Sequence, residues 1–128
     1  TADVLVNANF NTSVSGVIIN ISYDPNKLNI TNVTLTPRTS KMDMIFTNTN
    51  GRAILGIISS NGNNYISAGS GAIATLKVKS VSGALDLSSL KISYAGLAET
   101  KTLLDMKTSI LANNFKTTIT KTSGTFLK

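Results

Sequence analysis

The chain of 128 residues has no cysteine, no histidine and no tryptophan. Without cysteine there is neither a disulfide framework nor a thiolate metal site. Without histidine or cysteine, the most frequent general base and the most reactive nucleophile are both missing. The acids are Asp3, Asp24, Asp43, Asp86, Glu99 and Asp105, and no two are spaced as a catalytic pair. Nothing reads as a Walker loop, a zinc-ligand spacing or an EF-hand loop. We therefore expect no catalytic residue, no metal and no cofactor. Long apolar runs are lacking too. The longest, such as AILGII at 53–58, have strand length and fall far short of the roughly 18 residues of a membrane span.

Charge is scarce as well. Charged residues make up 14 %, against about 25 % in ordinary globular chains. The balance is basic, with net charge +6 and pI near 9.8. Its twelve positive residues are scattered, only two are Arg, and no basic run forms. Clustering is what marks a nucleic-acid footprint, so the excess reads as a solvated surface and no nucleic-acid partner is expected. Aromatics amount to 5 %, which leaves few rings on which a sugar could stack. Tyr65, in the loop region NGNNYIS, is the one candidate glycan contact.

In place of charge the chain has 17 Thr, 15 Ser and 14 Asn. Thr favours strands, while Asn and Ser favour turns over helix interiors. The length is that of one domain, 1–128, large enough to bury a core without staples. Its first residue, Thr1, is not Met, which fits a product from which a signal peptide has been removed.

Period-two alternation recurs along the chain. Val4, Val6, Ala8 and Phe10 share one face of a first strand. The stretch GVIINISYDPNKLNITNVTL at 16–35 follows. Val17, Ile19, Ile21 and Tyr23 point one way and Ile18, Asn20 and Ser22 the other. Asp24-Pro25-Asn26 stops that strand, because proline fixes φ and cannot donate to a ladder. Leu28, Ile30 and Val33 face inward from the next strand.

Met42, Met44 and Phe46 line another, and NTNG at 48–51 is a hairpin turn suited to positive φ. Residues 52–59 return with apolar side chains on both faces, as a central strand does. SSNGNN at 59–64 and SAGSG at 67–71 read as loops, flanking the short segment 65–66. Residues 72–80 alternate, with Ala74, Leu76 and Val78 inward. Leu90, Ile92 and Tyr94 mark the next strand, and Phe115, Thr117 and Ile119 a closing one. TKTLLDMKTSIL at 100–111 reads as irregular with one helical turn. The pattern predicts an all-β, two-sheet antiparallel sandwich of about nine strands.

Three stretches resemble the cohesin family, in the family's order. They are the strand and corner SYDPNKL at 22–28 running into 29–33, GAIATLKVKS at 71–80, and TTITKTSGTFLK at 117–128. The resemblance implies a nine-stranded jelly roll from secreted, cell-surface or cellulosome-type proteins. It also implies a non-catalytic module that docks a protein partner, dockerin-like or a second copy, on one sheet face. Ile18, Asn20, Ser22 and outward residues of 52–59 would form that face, with Arg52 as its polar anchor.

The chain departs from the family pattern in two places. Members that bind calcium-loaded dockerins carry polar residues where this chain has Gly16 and Ile18. A strand expected before Val4 is absent or short, which would leave an open edge. That edge supports an alternative reading, a structural subunit of a surface layer or filament that self-assembles by strand addition. A carbohydrate-binding module is the second alternative. Glycosylation sequons fall at Asn11, Asn20, Asn29 and Asn32. With 32 Ser and Thr among 128 residues, 14 Asn would give about 3 or 4 sequons by chance, so the count says nothing about use. The expected location is extracellular or at the cell surface.

Overall fold

The first strand shows how alternation becomes structure. In β1 (Ala2–Phe10) the residues Ala2, Val4, Val6, Ala8 and Phe10 are buried, while Asp3 and Asn9 are exposed. Seven further strands follow among the described residues. They are β2 (Gly16–Ser22), β3 (Leu28–Leu35), β4 (Asp43–Thr49), β5 (Arg52–Ile58), β6 (Gly69–Ser80), β7 (Lys91–Leu97) and β8 (Lys116–Lys121). In β3, β6 and β7 a bulge interrupts the alternation. A single 3-10 turn, Pro37–Thr39, precedes β4. These observations come from a computed structural model that describes residues 2–11, 13–59, 64–97 and 116–121.

Two four-stranded sheets pack face to face, in the orders β3-β6-β1-β8 and β4-β5-β2-β7. Every pairing is antiparallel. All connections but the β4–β5 hairpin pass from one sheet to the other. The architecture is thus an all-β antiparallel sandwich, and its eight strands stand close to the nine expected. Fully buried Val4, Val6, Ile19, Ile21, Leu28, Leu55, Ile57, Ile73 and Leu76 fill the space between the sheets.

The Tyr-Asp-Pro corner moves the chain between sheets. The Tyr23 ring is buried and its hydroxyl donates to Asn48 Oδ1. Asn48 in turn donates through Nδ2 to the Ile30 carbonyl at 2.9 Å. Asp24 closes the turn twice over. Its carboxylate accepts from the Asn26 N–H at 2.9 Å, and its carbonyl accepts from the N–H groups of Lys27 and Leu28. Leu28, fully buried, then plugs the core below the corner. The hairpin turn meets this corner from the other side. Asn50 and Gly51 have φ of 44° and 94°, and Gly51 accepts from the Tyr23 N–H at 3.0 Å.

Two expectations change. Residues 67–71 are not wholly a loop, because β6 starts at Gly69. Gly69 and Gly71 take φ of 112° and 148°, and the strand bulges where its register against β1 shifts after Val6. That conformation suits glycine. Tyr94 does not continue the inward face of Ile92. A bulge between Asn20 and Ile21 inserts Ser93, so Ala95 packs on the core and Tyr94 pairs opposite Asn20 on the outer side. The closing strand, β8, pairs with β1 directly, from Val4↔Lys121 to Asn9↔Lys116, and itself stands at the edge of its sheet among the described residues. Residues 60–63 and 100–115, with the irregular segment and Phe115, lie outside the described residues.

Candidate interaction face

The β4–β5 hairpin and the β2 ladders set which side chains share the outer face of the second sheet. Reading across β4, β5, β2 and β7, one row holds Ile45, Gly56, Ile18 and Gly96. The next holds Thr47, Ile54, Asn20 and Tyr94, and the last Thr49, Arg52, Ser22 and Lys91. At the opposite end Asp43 pairs with Ile58, which pairs with Gly16. Ile45 and Ile54 are 57 % and 47 % exposed, against a floor of glycines. With a rise of about 3.3 Å per residue and a strand spacing of about 4.8 Å, this face measures roughly 20 by 14 Å.

The outer face of the first sheet is different in kind. β1 presents Asp3, Leu5, Asn7 and Asn9, and β6 presents Thr75, Lys77 and Lys79. β3 contributes Asn29, Asn32 and Thr34, and β8 contributes Thr118. Lys77 is paired with Asp3 at 3.0 Å. One side of the sandwich is therefore polar and largely satisfied, and the other is centred on exposed isoleucine.

Ile18, Asn20, Ser22 and Arg52 come together on the isoleucine face, on adjacent strands. Ile54 belongs there by the same register. Ile45, Lys91 and Ser93 were not singled out from sequence. For Ile45 the signal was present, since the Asn50-Gly51 turn fixes the register and Met44 and Phe46 claim the inner side. Lys91 and Ser93 depend on a bulge that no local pattern announces.

Asn20, Ser22, Arg52, Ala53, Ile54 and Ser93 line a shallow pocket of ≈ 340 Å³. Tyr65, 58 % exposed, is the one exposed aromatic among the described residues and lies beside buried Ile66, which bridges to Val14. The sequons are split. Asn29 and Asn32 are exposed on the polar side, Asn20 is half-buried on the isoleucine face, and Asn11 is exposed after β1. Asn29 Oδ1 already accepts from Asn48 Nδ2 at 3.3 Å.

Arg38 and Asp86, away from this face, have structural partners. Arg38 donates to four carbonyls, and burial pulls its pKa below the ordinary arginine value. Hydrogen bonds from Ser88, its backbone N–H first, hold the Asp86 carboxyl below its usual value, and Lys27 adds to the effect. Among the described residues no group of three or more His, Cys, Asp or Glu gathers in metal-binding proximity.

Among solved structures, the chain superposes on the CaDoc0917–CaCohA2 complex with a TM-score of 0.54 at 20 % identity, covering 70 % of this chain and 74 % of that one. It matches the non-cellulosomal cohesin of the hyperthermophilic archaeon Archaeoglobus fulgidus at TM-score 0.52 and 22 % identity, covering 70 % and 64 %. The fold is cohesin-like. A third match is the third cohesin of ScaC from Acetivibrio cellulolyticus, in complex with the ScaB dockerin. There the TM-score is 0.52 at 16 % identity, with 77 % and 78 % covered. No family model and no curated protein matches the chain. At these identities the likeness is one of architecture, and the chemistry of this cohesin-like domain rests on its own side chains.

Proposed function

We propose that the chain is a non-catalytic docking module that holds a protein partner on the outer face of the β4-β5-β2-β7 sheet. One observation carries the reading: Ile45 and Ile54 stand exposed over a glycine floor on one side, while the other side is mostly amide, hydroxyl and charge, with Leu5 half-buried among them. Contiguous exposed apolar surface on a soluble fold marks an interaction site. Two of the similar structures are themselves complexes, one of them of a cohesin with a dockerin. The same likeness motivates an extracellular or cell-surface setting.

Ile18, Asn20, Ser22 and Arg52 are the proposed contact residues. With Gly16 and Ile18 where polar side chains would be expected, the face selects an apolar partner surface. Its geometric area is about 280 Å² at ordinary strand spacings. A standard stable interface takes about 800 Å² per partner, so this face must recruit its rims or bind transiently.

Light scattering on the purified chain should show a monomer. Selection from displayed protein fragments should give binders that are lost with Ile54→Asp. A concentration-dependent polymer would favour the self-assembling subunit instead, and binders indifferent to Ile54→Asp would remove this face from the account.

A further inference from the structure

Resting on that docking reading, we infer that the hairpin end of the face is a receptor for a carboxylate, and that the partner is a protein segment carrying an Asp or Glu beside an apolar surface. Arg52 and Lys91 flank Ser22 from the strands on either side, both paired directly opposite it. Two strand spacings put their backbones about 10 Å apart. Neither is in an ion pair among the described residues, whereas Lys27 and Lys77 are paired with Asp86 and Asp3. Both positive charges border the same gap, and an anion seated between them is attracted by each.

The ground between them is polar. Ser22 lies under the gap, and Asn20 and Ser93 line the adjoining pocket with Arg52 and Ile54. No acidic side chain lines it. Ser93 is there because the β7 bulge inserts it, and its hydroxyl is anchored on the Asn20 carbonyl at 3.3 Å. A planar guanidinium can take both oxygens of a carboxylate at once.

A free anion would need only this corner. The isoleucine rows beginning at Ile54, next to Arg52, require an occupant that is apolar beside its charge. Arg52 and Lys91 concentrate positive charge at the hairpin end of the face, and this fixes which way the partner lies: acid at the hairpin end, apolar surface toward Ile54 and Ile45.

The test uses the intact domain and a displayed library of randomised protein segments. Binders should be lost with Ile54→Asp and should be enriched in Asp or Glu at one end. For a representative binder, the pair R52Q/K91Q should weaken affinity about tenfold or more and flatten its salt dependence. The swap R52E/K91E should recover binding when the binder's acid is changed to Lys. Binders that need Ile54 but ignore R52Q/K91Q, or that are enriched in Lys and Arg, would overturn the carboxylate receptor while leaving the docking face intact. Binders that ignore Ile54 would overturn both.

Discussion

Arg38 holds its guanidinium 5.2 Å from the centre of the Phe10 ring. From there Nη1 donates to the carbonyls of Ala8 and Gly71 at 2.7 and 2.8 Å, and Nη2 to those of Ser67 and Gly69 at 2.9 and 2.7 Å. One side chain thus ties the end of β1 to the bulged start of β6. Thr36 and Thr39 extend the tie by donating to the carbonyls of Ala72 and Ile73, each at 2.7 Å. Arg38→Met keeps some of the stem contact and removes every donor. It should cost about 2–4 kcal/mol, since bonds to charged groups contribute about 1.5–3 each before solvent screening. Arg38→Lys should recover only part, because a point charge cannot reach four carbonyls in a plane. Urea unfolding of the three proteins measures this; equal stabilities would contradict it.

The turn residue Gly51 is constrained in two ways. Its φ is +94°, and a Cβ there would sit 2.8 Å from the Tyr23 carbonyl oxygen and 3.0 Å from Pro25 Cδ. Gly51→Ala should destabilise by about 2–4 kcal/mol through strain plus steric displacement. Gly83 is the control, with φ +67° and nothing within 4 Å of its Cβ position. Gly83→Ala should cost only about 1 kcal/mol. Similar losses at the two sites would show that close approach to the corner is unimportant.

These two sites also show what a sequence can and cannot reveal. Local signals were sufficient for the Asn50-Gly51 turn and for the inner faces of β1, β2 and β3, because alternation and turn chemistry act over a few residues. Arg38 was illegible, since its acceptors lie about thirty residues away in both directions. Tyr94 was misplaced because one inserted residue, Ser93, reverses every later side chain in β7. The start of β6 was hidden because Gly69 and Gly71, which normally signal a loop, here pair in the ladder opposite Phe10 and Ala8. On the candidate face, Ile18, Asn20 and Ser22 followed from the phase of one strand. Their juxtaposition with Arg52 and Lys91 follows from ladders that only the folded chain displays.

Tyr23→Phe removes the hydroxyl that donates to Asn48 and leaves the ring in place. Asn48 keeps its bond to the Ile30 carbonyl, so the loss is one part-buried hydrogen bond, about 1 kcal/mol. Asn48→Ala should cost more, because it also leaves the Ile30 carbonyl without that donor. Thermal or chemical denaturation ranks the two. The opposite ranking would mean that the hydroxyl, not the amide, organises the corner.

Acid should weaken the fold partly through Asp86. Its pKa is lower in the folded chain than in the unfolded one, chiefly through the N–H of Ser88. The stabilisation is therefore complete above the unfolded value, near 3.9, and is lost as pH falls through the lower folded value. Asp86→Asn should flatten the stability profile in that acid window and leave its shape at neutral pH unchanged. An unchanged acid limb would contradict the assignment.

The central claim is that function resides on the isoleucine side of the sandwich. Amide chemical-shift mapping of the labelled domain, titrated with a binder selected against it, tests this most directly. The largest changes should fall on Ile18, Ile45, Arg52, Ile54 and Gly56. Changes centred instead on Asn7, Asn32 and Lys77, or along the β8 edge alone, would contradict it.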